Sequence, residues 1–338
     1  MSVMDPAAKK VQVMGKKVFV LGGTGFLGYH TVKDLLKKGY GVRTVSLPPL
    51  PADDLFPAGA DVEISLGDIN KMPDDEVSAL LKGCEGFIYA AGADERTVPP
   101  IPALKFFYEA NVLPTQRMAR LAKNAGVRKF VVFGSYFAEF AERLPETELK
   151  KEAYPNTRLL QEQVAFAEGE GSMTVTSLRL PYIFGTMPGR MPLWKMFTDQ
   201  IKGQQVFPAL KGGTAMVTAG QVAQAAVGAM EKGVHRGTYA IGDTNMKYQD
   251  FYKMMVEALG QDTQVPVVPF EAVRQIYAGI DAQAKAQGVE HGIHSVKSAM
   301  MQEYDLYLYP EDTFPVLGVE REDVVASIRE TLRFITEA

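Results

Sequence analysis

The sequence predicts an α/β protein with a doubly wound parallel sheet, followed by a smaller and mostly helical lobe. Three observations support this fold class. Short apolar runs alternate with segments of helical periodicity through the first half of the chain. A glycine-rich turn at 22–28 joins the first apolar run to the first helix. From about Pro181 onward the alternation stops and helical patterns predominate.

The first strand and helix occupy residues 17–38. Val18 to Leu21 is a continuous apolar run, as a central parallel strand requires. Apolar residues then recur on one helical face, at Phe26, Leu27, Val32, Leu35 and Leu36. We therefore expect a buried strand, a tight turn and a helix packed on the sheet.

Further strands and helices alternate as far as residue 180. Strands are expected at 42–46, 62–65, 86–90, 127–133 and 173–180. Helices are expected at 73–81, at 103–124 and from about Pro155, since proline is favoured in a first helical turn. The proline-rich run at 48–57 fits neither a helix nor a central strand. In the second half, helices are expected at 219–231, 248–259, 270–287 and 321–336.

Composition excludes several classes of protein. The 338 residues are 46% hydrophobic and 22% charged, as in ordinary globular chains. A net charge of −4 without a basic run gives no reason to expect nucleic acid or a membrane as partner. The single cysteine, Cys84, fits a reducing compartment. Because the first sixteen residues are polar and no apolar stretch reaches membrane-span length, we expect a cytoplasmic protein.

The glycine turn predicts a dinucleotide site. Gly22, Gly25 and Gly28 have the spacing that a tight turn, close approach to a pyrophosphate and helix–strand packing need. The amides of the following helix then face the anion. A glycine-rich turn without a ligand is the alternative, and the strand before and helix after argue against it. We divide the chain into a tail at 1–16, a dinucleotide-binding domain at 17–185 and a mostly substrate-binding lobe at 186–338, some of whose segments can return to the sheet.

Together these segments resemble the extended short-chain dehydrogenase/reductase superfamily, which includes sugar-nucleotide epimerases and dihydroflavonol-type reductases. Besides the glycine turn, the resemblance rests on the order of Gly67-Asp68-Ile69, Ala90-Ala91-Gly92, Glu109-Ala110-Asn111-Val112 with Thr115, and the segment 178–185. It implies a Rossmann fold and a nicotinamide cofactor. The cofactor-site residues that it implies are Gly22, Thr24, Gly25, Phe26, Leu27, Gly28, Asp68, Ile69, Ala90, Ala91, Gly92, Asn111, Tyr154, Arg158, Pro181 and Ile183.

The resemblance also implies the catalytic residues. The family pairs a tyrosine acid–base with a lysine one helical turn later, and a serine holds the reacting oxygen. The matching residues are Tyr154, Arg158 and Ser135. Arginine keeps the charge that lowers a tyrosine pKa, but it passes a proton onward poorly, so slower turnover or a water chain replacing the relay through Asn111 is expected. The alternative is that Arg158 merely pairs with Glu162.

Two subclasses of reaction are weighed against particular residues. The Asp-Glu pair of sugar-nucleotide dehydratases is replaced by Tyr136-Phe137. The segment 212–217 lacks the arginine of sugar-nucleotide epimerases, although Arg190 or Arg236 can substitute. The sequence therefore favours hydride transfer on a small or medium alcohol or ketone. An epimerase and a cofactor-binding sensor with little turnover stay open. Candidate substrate residues are Asp94, Glu95, Arg96 and Trp194.

The end of the second strand bears on cofactor choice. Ser46 and Leu47 stand where NAD enzymes place an acid and NADP enzymes a cation. Since 44–70 holds five acids and no cation, NAD is preferred over NADP, with Arg43 able to alter this. No metal is expected, because His291 and His294 lack further ligands nearby. In this superfamily the helices around 103–124 and 154–168 pair between subunits, so a homodimer is expected.

Overall fold

The computed structural model describes residues 15–338, so the predicted tail lies outside the described residues except for Gly15 and Lys16. At its centre is a seven-stranded parallel sheet. Six strands come from the first half: β1 (Lys17–Leu21), β2 (Gly41–Ser46), β3 (Val62–Leu66), β4 (Cys84–Tyr89), β5 (Lys129–Ser135) and β6 (Thr174–Leu180). Their spatial order is β3-β2-β1-β4-β5-β6, with one later strand outside β6. The order reverses between β1 and β4, which opens a crevice at their carboxyl ends.

Helices cover both faces of this sheet. The helices of the first half are α1 (Phe26–Lys37), α2 (Asp74–Leu81), α3 (Ala103–Phe107), α4 (Leu113–Asn124), α5 (Tyr136–Arg143) and α6 (Ala153–Gly169). A π-helical turn at Tyr108–Val112 joins α3 to α4 into one continuous helix. On one face α1 packs through Val32 and Leu35, and on the other α2, α4 and α6 pack through residues such as Leu81, Met118 and Ala165.

The second half supplies a small second sheet and seven helices. Its strands are β7 (Tyr182–Phe184), β8 (Gly213–Thr218), β9 (Gly237–Ala240), β10 (Thr244–Lys247) and β11 (Asp305–Leu306). Its helices are α7 (Lys195–Ile201), α8 (Ala219–Lys232), α9 (Tyr248–Ala258), α10 (Phe270–Ala286), α11 (Ser295–Met301), α12 (Pro310–Leu317) and α13 (Val324–Glu337). β8 pairs with β7, β10 and β11, whereas β9 joins the large sheet beside β6. α8 packs beside α1 on the large sheet.

The predicted fold class is confirmed, with local differences. α6 begins at Ala153, two residues before Pro155. α13 begins at Val324 because the Asp323 carboxylate accepts a hydrogen bond from the Ala326 amide and caps the helix. Gly212 and Gly213 predict a loop before the helix at 219–231, but the segment 213–218 is the central strand of the small sheet. The boundary at 185/186 stays a prediction, and α8 and β9 are the lobe segments that lie with the large sheet.

Within residues 15–338, no helix combines the length and apolar character that crossing a bilayer requires.

Candidate active site

A cleft of about 1000 Å³ runs along the carboxyl ends of the large sheet. The glycine turn forms one end of it. Ser135, Tyr154 and Arg158 line its middle. Trp194 and Phe197, which come from the second half of the chain, line its other end. The cleft thus joins the predicted dinucleotide site to a region large enough for a second molecule.

Backbone packing explains the spacing of the glycines. Gly22 has φ +83°, and a Cβ placed on it would lie 2.8 Å from the Ala90 carbonyl oxygen. A Cβ on Gly28 would lie 2.0 Å from the Gly22 carbonyl oxygen. The turn therefore brings α1 directly against the ends of β1 and β4, and Gly28 lies behind the cleft wall rather than in it.

The start of α1 fits an anion. No side chain caps this helix, and Phe26 and Leu27, whose amides begin it, line the cleft. The neighbouring amides of Gly23 and Thr24 are already used, since they donate to Thr44 Oγ1 at 2.9 Å and Ser46 Oγ at 3.1 Å. The hydroxyls at the end of β2 therefore hold the turn in shape.

The other predicted cofactor residues mostly line the same cleft. Those at its wall are Thr24, Gly25, Asp68, Ile69, Ala90, Ala91, Gly92, Pro181 and Ile183. Asp68 Oδ1 accepts a hydrogen bond from the Asn70 amide at 3.1 Å. This bond fixes the backbone of Asp68 beside the wall. Asn111 is fully buried behind the wall. Its side-chain amide accepts from the Ala93 N–H at 2.8 Å and donates to the Ala93 carbonyl at 3.0 Å. Asn111 therefore positions the loop at 92–96.

The structure brings the three predicted catalytic residues together. Ser135 ends β5, and its hydroxyl accepts a hydrogen bond from the Phe137 amide in the first turn of α5. Tyr154 lies in the first turn of α6, with Arg158 one turn further along. The three are 5%, 3% and 7% exposed. A cation, a phenol and an alcohol therefore share one water-poor wall of the cleft.

Arg158 is directed toward this site. Its guanidinium carbon lies 5.6 Å from the centre of the Tyr154 ring, and one guanidinium nitrogen donates to the Phe133 carbonyl. Its Nε is buried and has no acceptor among residues 15–338, which fits a hydroxyl of a bound ribose. Glu162 is occupied elsewhere, because its Oε2 lies 2.7 Å from Arg179. The alternative pairing of Arg158 with Glu162 is therefore absent from the structure.

Several charges set the pKa of Tyr154. Its pKa is raised to about 12 overall, chiefly by burial; the Arg158 guanidinium and the Ser135 hydroxyl oppose this increase, and the Glu95 carboxylate contributes to it. Tyr154 is accordingly neutral near pH 7 and can donate a proton. Arg158 limits the cost of forming the tyrosinate.

The loop after β4 places two carboxylates at the substrate end, in different states. Asp94 is paired with Arg96, whose Nε lies 3.0 Å from Asp94 Oδ1. Glu95 has no side-chain partner among the described residues, and burial raises the pKa of its carboxyl. Burial raises the pKa values of Tyr136 and Tyr182, which share the cleft wall, and the charge of Glu95 adds to this increase. Neither tyrosine was predicted as a site residue, although Tyr182 belongs to the segment 178–185 on which the family resemblance rests.

Trp194 belongs mainly to the core beneath the cleft. Its Nε1 donates to the Ile183 carbonyl at 2.8 Å, and its ring stacks on Phe184 with centroids 4.6 Å apart. Only 4% of the residue is exposed. It fixes the floor of the substrate end more than it offers a polar contact.

The cations named in the sequence separate into two groups. Arg43 lies away from the cleft, with Nε 2.6 Å from Glu63 and Nη1 2.6 Å from the Leu80 carbonyl oxygen. Arg236 also lies elsewhere and pairs with Glu170 at 3.2 Å. Within the described part of the chain, the cations at the cleft wall are Arg96, Arg158 and Arg190.

The sequence and the fold are both similar to those of known proteins. A model of the NAD dependent epimerase/dehydratase family matches residues 18–242. Sterol-4-alpha-carboxylate 3-dehydrogenase, decarboxylating, from Bos taurus is 29% identical over 184 residues, which are 50% of this chain and 47% of that protein. The chain therefore spans about half the length of this curated relative.

Two further proteins resemble more of the chain. A 4-hydroxy-2-methyl-3-oxo-4-farnesyl-3,4-dihydroquinoline-1-oxide ketoreductase from Stigmatella aurantiaca is 24% identical over 76% of this chain and 78% of its own. The structure of UDP-glucose 4-epimerase from Bifidobacterium longum, in complex with NAD+ and UDP, has a TM-score of 0.68 at 18% identity, covering 95% of this chain and 98% of its own. At that identity the structural likeness concerns the fold.

Proposed function

Because the chain belongs to the NAD-dependent epimerase/dehydratase family, we propose that it is an oxidoreductase that transfers hydride between a nicotinamide dinucleotide and an alcohol or ketone. The observation that carries this proposal is the convergence of Ser135, Tyr154 and Arg158 on one buried wall, next to a glycine turn shaped for a dinucleotide. The two curated relatives described above are named as a dehydrogenase and a ketoreductase.

Each catalytic residue has one task in this mechanism. When bound, a nicotinamide dinucleotide would supply or accept the hydride. Ser135 donates a hydrogen bond to the substrate oxygen and fixes it near the phenol. In reduction, Tyr154 gives its proton to that oxygen, and in oxidation the tyrosinate removes the proton of the hydroxyl. Arg158 stabilises the tyrosinate and holds the ribose through its unpaired Nε.

Proton resupply to Tyr154 takes another route than through the Asn111 side chain. Both polar atoms of that side chain are bound to the backbone of Ala93. Arg158 stays charged and does not release a proton at useful pH. Water in the cleft is then the source, so we expect slower proton return than in enzymes with lysine at this position.

The substrate end favours a largely apolar alcohol or ketone. Tyr136, Tyr182 and Phe197 line it, and Trp194 forms its floor. Burial raises the pKa of both tyrosines well above the usual range, so they remain neutral. Glu95 adds one acceptor for a hydroxyl or amine elsewhere on the substrate.

For the cofactor, NAD is proposed over NADP. The end of β2 offers hydroxyl and apolar side chains, and Arg43 is held by Glu63 and the Leu80 carbonyl. A 2′-phosphate at that position would meet no cation from β2.

We further propose a homodimer through the helices around 103–124 and 154–168. Leu104, Tyr108 and Leu113 on the first of these are between 39% and 48% exposed. A second copy of the same helix pair would cover them.

The proposal is tested by binding and turnover in parallel. Calorimetric titration with NAD⁺, NADH, NADP⁺ and NADPH should show binding, strongest with the NAD pair. Screening alcohols and ketones against cofactor absorbance should then identify a substrate. Absence of binding with all four ligands would contradict the proposal. Binding without turnover, together with a partner that recognises only the loaded form, would favour a sensor instead.

A further inference from the structure

We propose that Arg190, whose guanidinium lies beside the start of α1, binds the diphosphate of the dinucleotide. This rests on the proposed function, and it concerns a residue from the second half of the chain that lies outside the glycine turn. The ligand class is any nucleotide with a diphosphate bridge.

The position of Arg190 matches that task. Among the described residues it is an exposed side chain of the cleft wall without an ion-pair partner. A Cβ placed on Gly25 would lie 3.9 Å from Arg190 Nη1. Gly25 is the glycine whose spacing allows a pyrophosphate to approach the backbone. The guanidinium and the helix start therefore border the same space.

The loop that carries Arg190 is anchored on the cofactor side. The Thr186 carbonyl accepts a hydrogen bond from His30 Nε2 at 3.0 Å. Met187 is 4% exposed and packs against Tyr29 of α1. Gly189 has φ +69°, and a Cβ there would lie 1.8 Å from the Pro51 carbonyl oxygen, so this backbone lies directly on the proline-rich loop. These contacts hold the loop over the glycine turn, which lowers the entropy lost when Arg190 binds.

The charges near the turn leave this task to Arg190. The amides of Gly23 and Thr24 donate to β2 hydroxyls, so fewer backbone donors remain for an anion. Arg96 is paired with Asp94, and Arg158 lies against Tyr154 at the middle of the cleft. A guanidinium binds two phosphate oxygens at once, and such charge-assisted hydrogen bonds are the strong ones.

A 2′-phosphate is the other phosphate that Arg190 could meet. It would sit at the end of β2, beside Ser46 and Leu47. The guanidinium of Arg190 lies close to Gly25, the glycine beside which the diphosphate is expected, and this position favours the diphosphate as its ligand. Ligands that carry a diphosphate but no 2′-phosphate distinguish these two assignments.

The test measures affinity, so it does not depend on a known substrate. Dissociation constants are measured by calorimetry for NAD⁺, NADP⁺, ADP-ribose and adenosine with the unaltered protein, Arg190→Gln and Arg190→Lys. The matched control is Arg236→Gln, which removes an exposed arginine far from the cleft. Arg190→Gln should weaken the three diphosphate ligands about tenfold to a hundredfold and leave adenosine unchanged. Arg190→Lys should recover part of the loss, and the effect should shrink at high salt.

Unchanged affinity for ADP-ribose in Arg190→Gln would overturn the inference. A loss confined to NADP⁺ would also overturn it and assign Arg190 to the 2′-phosphate. If the unaltered protein binds none of the three diphosphate ligands, both the inference and the proposed function fail. Binding that depends on Arg190 in a protein without turnover would support the inference alone.

Discussion

The guanidinium of Arg158 lies 5.6 Å from the centre of the Tyr154 ring, while Glu162 one turn further along is held by Arg179. This arrangement keeps a permanent positive charge beside a phenol whose pKa burial raises to about 12. Arg158 therefore acts on Tyr154 rather than serving as half of a helix-surface ion pair.

Replacing Arg158 by leucine should raise the pKa of Tyr154 further, because the charge that lowers it is lost. Alcohol oxidation needs the tyrosinate, whose fraction below the pKa falls tenfold per unit of increase. We expect the oxidation rate of the unaltered protein to rise with pH across the neutral and alkaline range. The rate of Arg158→Leu should rise with the same slope but be lower at each pH. Arg158→Lys should keep or increase the rate, because lysine retains the charge and can also return a proton. Coinciding pH–rate profiles for the leucine variant and the unaltered protein would contradict this role.

Neutralising Glu95 should have the opposite effect on Tyr154. The Glu95 carboxylate raises the pKa of Tyr154, so Glu95→Gln should lower it and increase oxidation at a given pH. The pH–rate profile is the measurement, since substrate affinity can change independently. Glu146→Gln removes an exposed carboxylate outside the cleft wall and should leave the profile unchanged. A shift of the Glu95→Gln profile to higher pH is the result that this account does not allow.

His30, which donates a hydrogen bond to the Thr186 carbonyl in the loop that carries Arg190, should make the stability of the protein sensitive to acid. Burial lowers its pKa to about 4, against about 6.5 in an unfolded chain. Because the folded form resists protonation, its stabilising contribution is complete above pH 6.5 and is lost as pH falls toward 4. The loss reaches about 2 kcal/mol at pH 5. Urea unfolding at pH 7.5 and pH 5 should show this decrease in the unaltered protein and a smaller one in His30→Gln; equal decreases would contradict it.

The dimer can be tested at the exposed face of α3. Leu104 is 48% exposed, and a glutamate there would place a charge in the proposed interface. Light scattering at micromolar concentration should show a dimer for the unaltered protein and a monomer for Leu104→Glu. Val234→Glu changes an even more exposed apolar residue at another site and should stay dimeric. A monomeric unaltered protein would exclude the proposal.

The sequence predicts what depends on neighbours in the chain. The glycine turn, the alternation of strands and helices, and the spacing of Tyr154 and Arg158 are all local patterns, and the structure brings these residues to one cleft. Position 213 requires glycine because of strand pairing and not because of a loop. A Cβ there would lie 2.5 Å from the Met246 carbonyl oxygen of the paired strand. Local reading of the sequence cannot distinguish these two causes.

Such local patterns do not predict contacts between segments that are distant in the sequence. The hydrogen bond from His30 to Thr186 and the approach of Arg190 to Gly25 join residues far apart in sequence. The same holds for the pairing of Glu162 with Arg179, which leaves Arg158 beside Tyr154. These contacts are set by tertiary packing of the lobe and the sheet, so no spacing in the chain indicates them.

The central claim, that Tyr154 is the acid–base of hydride transfer, is tested most directly by Tyr154→Phe. Turnover with an identified substrate and calorimetric affinity for the dinucleotide are measured on the same preparation, with Tyr309→Phe as an exposed control. We predict that turnover falls by about a hundredfold or more while cofactor affinity stays nearly unchanged. Full turnover in the phenylalanine variant would contradict the account.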